Sequence, residues 1–165
     1  MESNKYQLEI TSTELSIKPY FGYLPKIKIF AFLAIVIFCF VPFFTQLNDN
    51  IRYTLYGLGG IMLLYAVYDF IFWAGIKFLF DKKTNSIYKI YPLSVRKRLM
   101  AFDEMTIINT AEYGDRAYAI GKKKKQFLRN YPISDTFSGS KRSNRREDEY
   151  VEQVLNPILE FVNNP

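Results

Sequence analysis

Two long apolar runs, joined by only seven polar residues, limit what this chain can become. "IFAFLAIVIFCFVPFFT", residues 29–45, carries no charge, and "YTLYGLGGIMLLYAVYDFIFWAGI", residues 53–76, carries one. At about 1.5 Å per residue, the 17 residues of the first run span roughly 26 Å as a helix, close to the thickness of a bilayer core. "QLNDNIR" between them is a short polar turn, so the pair reads as a transmembrane helical hairpin. As core helices of a soluble protein they would need a larger domain to cover them than 165 residues supply. A cleavable signal peptide does not fit, because the first run starts at Ile29 and ends in bulky residues.

The basic residues set the expected orientation. Lys5, Lys18, Lys26 and Lys28 precede the first run, Arg52 alone lies between the runs, and 17 of the 22 Lys and Arg follow the second. Positive charge stays on the cytosolic side, which predicts that both termini are cytosolic. Tyr68, Phe72 and Trp73 suit the cytosolic interface, and Tyr53 and Tyr56 the opposite one. Asp69 is the one ionisable side chain inside the apolar segments, and a charge at that depth is a candidate functional group. It lies eight positions before Lys77, within about 12 Å of the helix end. A contact with the interface, or with Lys26 or Lys28, competes with a role in a pore, a proton step or an interhelical contact. Gly57, Gly59 and Gly60 allow close helix approach without forming a strict GxxxG motif.

The flanking segments read differently. In 1–28, "KYQLEIT" alternates like a short strand, and "ELSIKPYFGYLPKIK" fits either an interfacial lead-in or a strand added to the later domain. From residue 77 to 165, strand-sized segments with turn signals about every ten residues predict an antiparallel sheet or small barrel. Pro92 and Pro132 belong at strand ends or edges. "SDTFSGSKRSNRR", 134–146, reads as a flexible basic loop. Val151, Val154, Leu155, Ile158 and Val162 then recur at helical spacing, which predicts a C-terminal helix over about 147–163. Glu147, Asp148 and Glu149 would sit in or near its first turn, and Pro157 would kink or divide it.

Several chemistries are excluded or weakened. The chain has no histidine, which removes imidazole metal ligands and histidine-activated nucleophiles. Its single cysteine, Cys39, can form no intrachain disulfide and reads as a small buried hydrophobe in an apolar run. Asp103 and Glu104 point to opposite faces of a strand, and Asp148 and Glu149 fit a helix start, so neither pair reads as a general acid and base. "GLGG" at 57–60 lies in an apolar helix and lacks the Lys-Ser or Lys-Thr of a phosphate loop. No catalytic residue, cofactor or metal site is expected, and the chain reads as no enzyme.

"FDKKTNSIYKIY", of the form aromatic-Asp-x-x-x-Asn-x-Ile-Tyr, followed by "MAFDEMTII", resembles the bacterial pleckstrin-homology-like domains carried by small membrane proteins. The resemblance covers about 75–165, or 29–165 with the helices. The last helix lacks the Trp common in eukaryotic relatives, so phosphoinositide binding does not carry over. The resemblance implies an α+β fold: a transmembrane hairpin, then a PH-like antiparallel barrel or sheet closed by a C-terminal helix. It also implies a multi-pass protein of the bacterial inner membrane, acting as a scaffold or binding module.

Residues 77–165 hold 17 basic and 11 acidic residues, so the net +6 of the chain lies there. The candidate contacts with headgroups or a partner are Arg96, Lys97, Arg98, the run Lys122, Lys123, Lys124 and Lys125, and Arg129. Near an anionic leaflet each contributes about 1 kcal/mol if they share a face. Nucleic acid is an unfavoured partner, because Phe127 and Tyr131 read as core rather than as stacking platforms. The expected partners are membrane lipid and a protein or a second copy of the chain. Immunity and secretion-accessory roles are subcases of this scaffold reading. The alternative is a small membrane effector or channel whose barrel senses a soluble anionic ligand.

Overall fold

The computed structural model describes residues 5–112, 114–124 and 130–164. The apolar runs form helices α1 (Leu24–Phe40) and α2 (Asp49–Asp69). Short 3-10 turns at Phe21–Tyr23 and Val41–Phe43 extend α1, and a π turn at Phe70–Ala74 extends α2. The resulting spans of 23 and 26 residues are long and apolar enough to cross a membrane. α1 starts five residues before the charge-free run, since Pro25 in its first turn has no amide hydrogen to lose there. The Asn48 side chain caps α2 by accepting from the Asn50 amide.

The seam between the helices is narrow. Ile27, Ala34 and Val41 are buried on α1 and recur every seven residues, as do Gly59 and Ala66 on α2. That spacing keeps one stripe of each helix in register with its neighbour, and the small residues let the backbones approach. Of the three glycines in α2, only Gly59 is needed for this. A Cβ there would lie 3.2 Å from Ile37 Cγ2, whereas Gly57 and Gly60 face open space. Only 17% and 11% of the apolar windows are buried, far from the pattern of core helices in a soluble domain. Cys39 is exposed on α1, contrary to its expected burial.

Two antiparallel sheets make up most of the rest. The first has the order β1 (Glu9–Ile10), β2 (Glu14–Ile17), β3 (Lys77–Asp81), β4 (Ser86–Ile90), β5 (Arg96–Ala101). Ile17 lies opposite Phe78 and Glu14 opposite Asp81. The helical pair is thus inserted into the connection between two neighbouring strands. The N-terminal segment is an integral part of the sheet, and the module taken to start at Lys77 includes residues 5–18. The second sheet has the order β6 (Met105–Glu112), β7 (Asp115–Lys122), β8 (Asn130–Pro132). Pro132 ends the edge strand, where its missing amide costs no ladder bond. Among the described residues no strand pairing joins the two sheets, so the α+β module is a pair of open sheets rather than a closed barrel.

The C-terminal helix is in two parts, α3 (Lys141–Tyr150) and α4 (Asn156–Asn163), joined by a π turn at Val151–Leu155. Pro157 cannot donate to the carbonyl four residues back. The ladder widens just before it, and the Asn156 amide bonds to the Val151 carbonyl. The helix starts six residues earlier than expected, because the Ser140 hydroxyl caps it by accepting from the Ser143 amide. The supposed flexible loop is therefore helical from residue 141. Glu147 to Glu149 lie beyond the first turn, which holds no acid.

One apolar core unites these parts. Alternate residues Leu15, Ile17, Phe78, Phe80, Ile87 and Met100 of the first sheet meet Ile120, Ile133, Val154 and Ile158. Tyr6 is fully buried, with its ring 4.9 Å from that of Tyr150. Its hydroxyl accepts from the Asp135 amide at 3.4 Å, and its carbonyl accepts from the Lys18 amide at 2.8 Å. Lys5 forms an ion pair with Asp135. The N-terminal segment thus ties the first sheet to the C-terminal helix and to the segment after β8.

Candidate functional site

Strand register places the candidates of β5 relative to the helices. β3 follows α2 directly, so Lys77 marks the helix-proximal end. Asp81 lies about 13 Å farther out at roughly 3.3 Å per residue. Lys77 pairs with Ile90 and Ile90 with Arg96, while Asp81 pairs with Ser86 and Ser86 with Ala101. Arg96 and Lys97 therefore begin β5 at the helix-proximal end, and the β5–β6 turn lies at the distal end.

Arg96 is already engaged. Its guanidinium carbon lies 3.6 Å from the Tyr88 ring centroid, and Nη2 is 3.3 Å from Asp81 Oδ2. Asp81 Oδ1 accepts from the amides of Lys83 at 2.9 Å and Thr84 at 3.4 Å. Desolvation pulls the Asp81 carboxyl upward, but the hydrogen bonds from Thr84, Lys83 and Arg96 outweigh it and hold it below the usual carboxylate range. Lys97 and Arg98 are exposed on β5, with Arg98 opposite Tyr88.

The lysine run belongs to the other end. Lys122 is the last residue of β7, and its Nζ is 3.0 Å from Glu104 Oε2 in the β5–β6 turn. The Lys123 amide donates to the Glu104 carbonyl at 2.8 Å. The Lys122 ammonium, and then the Ala101 amide, hold the Glu104 carboxyl below its usual range. Lys123 and Lys124 are exposed in the β7–β8 connection, and Lys125 and Arg129 lie outside the described residues. The basic candidates that can be placed thus do not share one face: Lys97 begins β5 near the helices, the Arg96 guanidinium reaches out to Asp81, and Lys122 ends β7 of the second sheet beside the β5–β6 turn.

Asp69 ends α2 half-buried, with no ion pair to Lys26 or Lys28 among the described residues. Lys26 instead donates to the Tyr65 hydroxyl at 3.3 Å and lies within 6 Å of the Phe30 and Tyr65 rings, at 5.9 and 5.5 Å.

The helix-proximal end forms a compact collar. The Trp73 ring meets Tyr20 edge-on at 5.2 Å. Burial first, then the Asp135 and Tyr23 charges, push the Tyr20 hydroxyl up to about 12. Gly75 follows the π turn, where a Cβ would fall 2.2 Å from Pro92 Cγ. The β4–β5 turn is therefore packed directly against the end of α2. That turn is closed by the Tyr91 amide on the Val95 carbonyl and the Ser94 amide on the Tyr91 carbonyl, both at 3.0 Å. Ser94 takes a left-handed φ of 60°, which strains a residue with a side chain. Leu93 and Val95 project from this turn, 72% and 57% exposed.

A groove of about 510 Å³, unexpected from the sequence, lies between β7 and the C-terminal helix. Its floor is a polar network. Arg116 Nη2 reaches Glu147 Oε2 at 2.6 Å and Asn144 Oδ1 at 2.7 Å, and the Tyr118 hydroxyl donates to Glu147 Oε1 at 3.0 Å. Burial, then the bond to Glu147, raise the Tyr118 hydroxyl above its usual value. Asp148 and Glu152 add acid to the rim, while Arg116 is the one base in the lining among the described residues, so the groove is the wrong sign for an anion. The signal in the sequence is the spacing of Asn144, Glu147 and Asp148, a polar stripe of a helix capped by Ser140.

No protein-family model, curated protein or solved structure matches this chain.

Proposed function

We propose that the chain is a non-enzymatic integral membrane protein whose PH-like module is held against the cytosolic leaflet as a scaffold or binding module. The observation that carries this reading is the insertion of the apolar helical pair between paired strands β2 and β3. Two short connections, Lys18 to Phe21 and Ala74 to Lys77, join the sheet to the helices with no flexible linker. A module attached in this way cannot swing freely. One end stays at the leaflet, and the acid-lined groove and the lysine corner are open to the cytosol. In this reading Lys77 and Lys97 contact headgroups, and the groove takes a protein partner. The alternative, a channel-forming effector gated by an anionic ligand, draws no support from a groove that is rich in acid.

The test is site-specific photo-crosslinking in native membranes, with the probe at Val151 in the groove and at Lys97 near the helices. The reading expects one defined protein from Val151 and lipid from Lys97. If both probes capture no more than a control probe at Lys83, the scaffold reading fails.

A further inference from the structure

We infer that the β4–β5 turn is a second, monotopic membrane contact: Leu93 and Val95 insert into the interface of the leaflet that the helices cross. This rests on the membrane reading above. Four observations lead to it. Leu93 and Val95 are more exposed than Ile10, which at 54% is the other large aliphatic residue exposed outside the helices among the described residues. They lie at the helix-proximal end, because Pro92 packs against Gly75 at the end of α2. The turn is closed by two backbone hydrogen bonds, so its apolar tip is shaped before it meets lipid. Finally, Lys89 and Lys97 face each other across the base of the turn, Lys77, ion-paired to Glu9 at 3.5 Å, lies opposite Ile90 beside them, and Tyr20 and Trp73 mark the same level with a pair of amphipathic rings. An apolar tip, a basic base and an aromatic belt together match the gradient of an anionic bilayer surface from acyl chain to phosphate. A soluble protein partner would have to reach the tip beneath the module, at the mouth of the helical pair.

The full chain, with Cys39→Ala, tests this in nanodiscs containing phosphatidylglycerol. Single cysteines Leu93→Cys, Ile10→Cys and Leu64→Cys are labelled with an environment-sensitive fluorophore. All three positions are exposed, so none should disturb the fold. Leu64, in mid-α2, reports on the helices themselves. The expected result is that the label at 93 is quenched by spin-labelled lipid and protected at least fivefold from aqueous iodide, as at 64, while the label at 10 is open to iodide. If 64 meets lipid and 93 behaves like 10, the insertion of the turn is wrong and the membrane reading stands. Protection of 93 from both quenchers means that protein covers the tip, and also overturns the inference. If 64 does not meet lipid, both readings fall.

Discussion

Glu147 shows how much one side chain can join. It receives Arg116 and Tyr118 from β7, is nearly buried, and sits on the helix that closes the core. Replacing it with alanine leaves Tyr118 without an acceptor and Arg116 without its charge partner. The expected loss is about 1–3 kcal/mol, less than for a fully buried pair because water screens the half-exposed Arg116. Glu147→Gln should lose less, as it keeps an acceptor for Tyr118; thermal unfolding in detergent measures both. Three tyrosines act on stability in the same direction at high pH, opposed by exposed Tyr88, whose hydroxyl is held below its usual value by the bond to Thr84. Tyr20, Tyr118 and Tyr150 all hold their protons more tightly in the fold than their usual value of 10.0. Below that value they contribute fully. Above it the unfolded chain ionises first, so stability falls as pH rises from about 10 through about 12. Melting temperatures at pH 8, 10 and 11 should decline over the last step. At this scale little was legible in advance. Arg116 and Glu147 are far apart in sequence and follow no spacing rule, and Glu147 looks like a helix-start charge unless Ser140 is known to cap the helix. Lys122 was prominent as part of a run, but its pairing with Glu104 depends on a turn that local pattern does not fix.

The elements were easier to read, since their signals are periodic and local. Both apolar helices, the strands from β3 to β7 and the division of the last helix at Pro157 follow from hydropathy and from one missing amide. The ends of the elements were misplaced, because caps and 3-10 turns extend helices into polar sequence. β1 and β2 were ambiguous for a different reason: two and four residues carry too few alternations to identify a strand. The glycines of α2 also looked equivalent in sequence, and packing separates them. Gly59→Leu should force Ile37 and Phe38 away and open the seam, at a cost of about 1–3 kcal/mol. Gly57→Leu and Gly60→Leu should be nearly neutral, as nothing lies within 4 Å of their Cβ positions. Comparing the thermal stability of the three variants in detergent decides this, and equal losses would contradict the seam described here.

At the scale of the molecule, the defining fact is that the folded module is discontinuous. Residues 77–164 alone lack β2, the neighbour of β3, and Tyr6, a fully buried ring. They should be poorly soluble and lack a cooperative melt. Joining 5–18 to 77–164 through about four Gly and Ser residues should restore a soluble, cooperatively folded unit, since Ile17 and Phe78 are already paired across the gap. Circular dichroism and gel filtration of the two chains decide the matter, and identical behaviour would count against an essential N-terminal pair. No local pattern announces a strand pairing that spans two helices, which is why the sequence left the N-terminal segment open between an interfacial lead-in and a strand added to the later domain. The same insertion has a consequence during synthesis. β2 leaves the ribosome about 60 residues before β3, a delay of roughly 3–12 s at ordinary elongation rates. Throughout that delay an unpaired strand edge with two apolar side chains, Leu15 and Ile17, must stay in the compartment where the rest of the sheet will emerge. With the helices crossing a membrane as proposed above, translocating the amino terminus would strand half a hairpin on the wrong side and leave β3 an open edge, and correct insertion would become a precondition for folding.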